Sequence, residues 1–266
     1  MISFTQGVNK DMQGIKIITL IFSLGLGACT PELNRTLPYI DPLFVGNIGY
    51  WKLNEASGST VVGDSSPISN TGTVLGTTSL GNTGFSSTTT SAHFDSGSSS
   101  YISIPRNANY NVSTFTASAW VKSSQNLGIR LIFNGDYLPV DASPSGRKFQ
   151  FRLNIGYFGC TVLFNDANDA SSSTELLSIT MVSDGNWHHL ACTYDQTKIQ
   201  VYVDGVLNNT VAENRALNNE TPHLYIGQWN TDINNIGQYL LTGYVSQVGL
   251  WNRALSATEI TELFTR

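Results

Sequence analysis

Apolar and polar residues alternate with a period of two over much of the chain. Phe115-Thr116-Ala117-Ser118-Ala119-Trp120-Val121 puts Phe115, Ala117, Ala119 and Val121 on one face, the pattern of a half-buried strand. Lys198 to Val203 alternates likewise, and Asp204-Gly205 follows directly before Val206-Leu207. Asp-Gly between two apolar runs predicts a tight hairpin, because both turn positions need positive φ. Further strands are predicted over 48–53, 101–104, 129–133, 148–153, 157–164, 187–194, 223–226 and 239–251. Ser- and Thr-rich runs at 86–91 and 96–100 read as loops. One helix is predicted at the C-terminus. Ser256-Ala257-Thr258-Glu259 is a capping box, with Ile260, Leu263 and Phe264 on one face behind it. No period of 20–50 residues recurs, which argues against a solenoid or propeller. The expected fold class is all-β, a sandwich of two antiparallel sheets with one short C-terminal helix.

Composition sharpens this picture. Only 12% of the residues are charged, against about 25% in a typical globular chain. Long exposed helices need charged residues on their wet face, so few are expected here. The net charge is −5 and no basic stripe is visible, which disfavours a nucleic-acid partner.

The first residues have a different character. Ile15 to Ala28 is apolar with Lys16 near its start, too short to span a bilayer, which takes about 20 residues. It has the anatomy of a secretory signal. Met12 is a more ordinary start for such a signal than Met1. Leu26-Gly27-Ala28-Cys29 resembles the bacterial lipobox. That resemblance implies cleavage before Cys29 and a lipid anchor on it, the alternative being a plain signal peptide with an incidental cysteine. Several buried acyl chains hold a protein on a membrane where one does not. The expected organisation is a lipoprotein signal peptide over 1–28, a tether over 29–45 carrying Pro31, Pro38 and Pro42, and one domain over 46–266. The expected location is the cell envelope. Thr30 rather than Asp follows Cys29, which favours an outer membrane where there is one and the cell surface otherwise.

The chain has 3 cysteines. With Cys29 lipidated, Cys160 and Cys192 remain in an export compartment that permits disulfides. Neighbouring strands would bring them within bridging reach. Two buried free thiols are the alternative.

Five stretches in order resemble the laminin-G-like jelly-roll domains of the concanavalin A-like lectin/glucanase superfamily. They are Gly49-Tyr50-Trp51-Lys52-Leu53-Asn54-Glu55 with Asp64-Ser65-Ser66; Ala92-His93-Phe94-Asp95 with Tyr101-Ile102-Ser103-Ile104-Pro105; Phe115 to Val121; Asp184-Gly185-Asn186-Trp187-His188-His189-Leu190-Ala191 with Tyr202-Val203-Asp204-Gly205; and Gly243-Tyr244-Val245 through Trp251-Asn252-Arg253-Ala254-Leu255-Ser256. The resemblance implies a jelly-roll topology and a function among sugar binding, protein binding and glycoside hydrolysis. Fold alone does not choose among these.

Residue chemistry narrows the choice. Hydrolases of this superfamily carry carboxylates at alternate strand positions, which places nucleophile and acid on one face about 5–5.5 Å apart. No such spacing occurs here, so no catalytic residue is expected. His188 and His189 are adjacent on a predicted strand and point to opposite faces, which favours a structural role. Calcium is the candidate cofactor, with Asp64 and Asn70 as candidate ligands; an ion-free Asx-turn loop is the alternative. The resemblance to pentraxins at Leu224-Tyr225-Ile226-Gly227-Gln228 does not extend to their acidic calcium ligands, and Ser246-Gln247 stands where many relatives have Asp-Glu. Candidate ligand-binding residues are Trp229, Asn230 and Asp232, with Tyr137 in a second loop. An aromatic ring beside amides and hydroxyls suits the apolar face and polar rim of a sugar; core packing is the alternative for Trp229. The function expected is a membrane-anchored lectin-like module for carbohydrate or an extracellular protein. The alternative is a non-catalytic structural lipoprotein of the envelope.

Cys29→Ala is expected to abolish metabolic labelling with a fatty acid and to release the protein from the membrane fraction. Unchanged labelling would exclude the anchor.

Overall fold

The computed structural model describes residues 6–10, 16–20, 36–38, 41–95, 100–126, 129–136, 149–164, 172–217, 221–227 and 240–266. The chain divides into two compact units, 1–45 and 46–266. The first holds a three-stranded antiparallel sheet of β1 (Gln6–Lys10), β2 (Lys16–Leu20) and β3 (Thr36–Pro38), then a single 3-10 turn, Pro42–Phe44, capped by Asp41. Among the described residues no helix is long and apolar enough to cross a membrane.

The second unit is a jelly-roll sandwich of two antiparallel sheets. The first sheet runs β17 (Val206–Ala212), β16 (Lys198–Val203), β15 (Trp187–Tyr194), β10 (Phe115–Lys122), β19 (Gly243–Trp251), β8 (Thr90–Phe94) and β7 (Ser79–Thr83), with β4 (Asn47–Trp51) also paired to β19. The second runs β14 (Ser173–Met181), β13 (Tyr157–Leu163), β12 (Phe149–Asn154), β11 (Ile129–Asp136), β18 (His223–Ile226), β9 (Tyr101–Ile104), β6 (Gly72–Leu75) and β5 (Val61–Val62). The core lies between them. Phe115 of the first sheet meets Phe149 of the second at 5.1 Å between ring centroids, and Trp51 meets Phe133 at 6.0 Å. All four rings are buried.

The alternation in β10 holds, with Phe115, Ala117, Ala119 and Val121 all buried. The strand is not half-buried, however. Thr116, Ser118 and Trp120 on its other face are buried too, and Phe264 of the helix α1 (Ala257–Thr265) stacks on Trp120 there. Thr116 Oγ1 donates to the Arg253 carbonyl and accepts from the Leu255 amide, which fixes the approach to the helix. Ser256 and Glu259 form the capping box read from the sequence. Asp204 and Gly205 take φ +50° and +78°, as the predicted hairpin requires. Gly205 also has to be small: a Cβ there would meet Phe264 at 3.0 Å.

Some element ends differ from the sequence reading. β4 stops at Trp51 because Leu53 takes φ +58°. β19 begins at Gly243, and the described residues 240–242 before it are not strand: the Leu241 amide donates to the Gly227 carbonyl outside any ladder. Strand β14 carries no clean alternation and leaves Ile179 and Met181 exposed. It forms by pairing antiparallel with β13, and β17 meets its other edge across the rim of the sandwich. Asn208 Oδ1 accepts from the amides of Ile179 and Thr180, and Asn209 Nδ2 donates to the Leu177 carbonyl. Side-chain amides thus satisfy edge groups that an unpaired strand would expose. Nearby, Arg215 pairs with Glu213, donates to Ser172 and Thr174, and lies 4.3 Å over the Phe164 ring.

Cys160 and Cys192 form a disulfide with Cα atoms 6.2 Å apart. The geometry differs from the neighbouring-strand expectation. Cys160 is on β13 and Cys192 on β15, so the bridge joins opposite sheets through the core. Both cysteines point inward, at 1% and 0% exposure.

Replacing both cysteines by alanine is expected to lower unfolding free energy by about 3–4 kcal/mol in the chain-entropy picture. Denaturant unfolding of oxidised wild type beside the variant measures it.

A second prediction concerns pH. His189 packs at 5.4 Å from Trp120 and 6.3 Å from Phe264, and burial lowers its pKa to about 4. Burial also lowers His223 to about 4, with Arg106 adding to the effect. The unfolded chain takes up these protons near pH 6.5, the folded one only near pH 4. Their contribution to stability is therefore complete above pH 6.5 and falls as the pH drops toward 4, by about 3 kcal/mol for His189. His188 acts in the opposite sense: its hydrogen bond to Asp204 raises its pKa, so its contribution is present in acid and lost as the pH rises through its folded value. The melting temperature is expected to fall between pH 6.5 and 4, and His189→Phe, which keeps a ring at that position, to flatten the fall. Parallel curves for the two proteins would refute the assignment.

Candidate functional site

The cover that α1 gives to the first sheet stops short of one end. There the register sets a row of side chains across four strands: Trp187 of β15 opposite Lys122 of β10, Lys122 opposite Tyr244 of β19, and Tyr244 opposite His93 of β8. Residues directly opposite one another share a face, and this face lies opposite the one that buries Val121 and Val245. All four side chains are half-buried. Edge strand β7 adds Asn82 and Thr83, and Gly84 follows. Together Asn82, Thr83, Gly84, Lys122, Trp187 and Tyr244 line a cleft of about 460 Å³, within the size range of small-ligand sites.

Aromatic contacts hold the walls. Phe85, just beyond β7, stacks on Trp120 at 4.0 Å with planes 3° apart and meets Trp187 edge-on at 6.4 Å. Trp187 lies 6.3 Å from Tyr244, and Tyr244 lies 4.7 Å from His93. Asn82 Nδ2 donates to the Ser79 carbonyl at 2.9 Å, which orients the amide and leaves its oxygen as an acceptor. Lys122 has no ion-pair partner among the described residues. The cleft therefore offers ring faces, an amide, a hydroxyl and one positive charge.

The sequence singled out other residues. Trp229, Asn230, Asp232 and Tyr137 lie outside the described residues. Asp64 and Asn70 are brought together, the Asn70 amide donating to Asp64 Oδ2 at 2.8 Å. Asp64 also accepts from the Tyr50 and Ser66 amides and from Ser66 Oγ. Its two oxygens thus serve four donors within the fold. Asn70 Nδ2 donates to the Pro105 carbonyl and to Tyr110 Oη. This is the geometry of an Asx-turn that pins a loop to β4 and β9. Calcium takes six to eight oxygens, and this single, internally bonded carboxylate does not fit that demand. Among the described residues no three His, Cys, Asp or Glu side chains gather as metal ligands.

His188 and His189 do point to opposite faces. His189 is buried under α1, whereas His188 bridges Asp204 at 2.9 Å and Asp184 at 3.2 Å. The Asp184 carboxyl is held down to about 2, chiefly by hydrogen bonding from Asn186. These contacts tie the 184–187 turn to the β16–β17 hairpin and set where Trp187 starts its strand.

Sequence reasoning missed the cleft. Trp187 and Tyr244 stood in the motifs that carry the fold resemblance and were read as structure. The one available signal was the alternation itself, which puts Trp120 and Lys122 on the non-core face of β10.

A family model described as the concanavalin A-like lectin/glucanases superfamily matches residues 95–261. No curated protein matches by sequence. Among solved structures, the chain is similar to the binding domain of Paraclostridial Mosquitocidal Protein 1, with a TM-score of 0.60 at 16% identity over 84% of this chain and 52% of that one. It is also similar to the binding domain of botulinum neurotoxin DC, solved in complex with SialylT (TM-score 0.59, 14% identity) and with rat synaptotagmin II (TM-score 0.60, 12% identity), each over 84% of this chain and 52% of that one. The chain thus spans about half the length of these neighbours, and at such identities the likeness is one of fold. With a family model matched over more than half its length and a two-sheet jelly roll to go with it, the chain belongs to the concanavalin A-like lectin/glucanases superfamily.

Proposed function

We propose that this protein is a non-catalytic, lectin-like glycan-binding module held at the cell envelope by a lipid on Cys29. The observation that carries the binding reading is the cleft at the open end of the first sheet. Trp187 and Tyr244 supply ring faces for the apolar side of a sugar, and Asn82, Thr83 and Lys122 supply polar groups for its rim. The neighbouring toxin domains, solved with a SialylT ligand and with a protein, support binding rather than turnover as the task of this fold. The anchor reading is supported by the Leu26-Gly27-Ala28-Cys29 run.

Trp187→Ala is the test of the cleft. Trp187 is only half-buried, so the change is expected to weaken glycan binding by about 1.5–3 kcal/mol. The melting temperature is expected to fall by no more than about 4 °C. A glycan array beside a thermal melt separates the two effects. Array binding that survives in the variant would move the site elsewhere. A wild type that binds no glycan would move the reading to a protein partner, for which the exposed Ile179, Met181 and Leu207 beside the β14–β17 edge are the apolar groups at hand.

A further inference from the structure

We infer that the cleft selects an anionic sugar, one bearing a carboxylate or sulfate, with the negative group on Lys122 and the ring on Trp187 or Tyr244. The inference rests on the glycan-binding reading above and names the ligand class.

The argument starts from charge placement. The chain is acidic overall, with net charge −5, yet the polar group at the middle of this row is a lysine. Its strand neighbours are Trp187 and Tyr244, one on each side, so its stem lies between two aromatic positions. Among the described residues, none of the six that line the cleft is acidic. The nearest acid along the chain from Trp187 is Asp184, whose carboxylate bonds Asn186 and His188 instead.

Three arginines of the domain show the contrast. Arg152 pairs with Glu175 at 2.6 Å, Arg215 with Glu213 at 2.5 Å and Arg253 with Glu259 at 2.6 Å. The Lys122 stem is covered in part, and its ammonium has no ion-pair partner among the described residues, so it is available to an anion in the cleft. A neutral sugar would need only the rings, the amide and the hydroxyl. An anionic one adds a charge-assisted hydrogen bond to the ammonium, the stronger class of such bonds. The resulting affinity is sensitive to salt, because the cleft is open to solvent.

The test uses the intact chain and three probes: an oligogalacturonate, its neutral methyl ester and a sulfated galactan oligomer. The wild type is expected to bind the oligogalacturonate about tenfold more tightly than the methyl ester at low ionic strength. That ratio should shrink as salt rises above about 0.15 M. Lys122→Gln is expected to bring the ratio to about one, and Lys122→Arg to keep it. Thermal melts of both variants establish that each is folded. Competition by the sulfated galactan assigns the site to anions in general, and its absence assigns it to carboxylates. A wild type that binds the ester and the acid equally overturns the charge inference and leaves the glycan-binding reading standing. A wild type that binds none of the three and is blank on a glycan array overturns both. A preference that survives in Lys122→Gln places the anion elsewhere and overturns the inference alone.

Discussion

The stacking of Trp120 on Phe85 and Phe264 is the contact on which the rest of the outer face depends. Trp120 projects from β10 away from the core, yet it is 7% exposed. Phe85 covers it from the loop after β7, and Phe264 covers it from α1. The stack therefore fixes two segments distant in sequence against one strand. Where it ends, the sheet is open, and the same alternation that buries Trp120 presents Lys122 two residues on. The cleft is the uncovered remainder of a face that is otherwise core. Loss of the stack would free the Phe85 loop, the wall that Gly84 and Thr83 contribute.

A second constraint acts at the far side of the sandwich. Two sheets that twist diverge toward their edges unless something joins them. Here the Cys160–Cys192 bridge ties the sheets through the core, and Asn208 and Asn209 tie β17 to β14 at the rim. The Glu213–Arg215 pair, with Ser172 and Thr174, adds a polar lock beside it. These links join strands that are not neighbours in either sheet. They hold the two sheets together at this side, while the row of Trp187, Lys122 and Tyr244 is set within the first sheet by the β15–β10–β19 ladder.

The same physics separates structural histidines and acids from candidate chemistry. His188, Asp184, Asp204 and Asp64 all look like functional side chains in a sequence. Each is consumed by local bonding: His188 by two carboxylates, Asp204 by the His189 amide and the His188 ring, and Asp64 by four donors. A polar group whose bonds are all made inside the fold has little left for a ligand. Lys122 and the Asn82 amide oxygen differ because the fold leaves them capacity to spare.

What the sequence determined by itself was everything that depends on local period and local turn chemistry. The alternation of Phe115 to Val121, the Asp204-Gly205 hairpin and the Ser256–Glu259 capping box are each set by residues within a few positions of one another, so they are legible in one dimension. The order of five motifs extended that to the jelly roll. Only the tertiary structure decided what covers the second face of β10, which partner Cys160 reaches across the core, and which aromatic rings stay half-open. Those outcomes depend on contacts between residues far apart in the chain, Phe264 on Trp120 and Trp187 beside Lys122 beside Tyr244, and strand periodicity says which side a residue faces but not what will be waiting there.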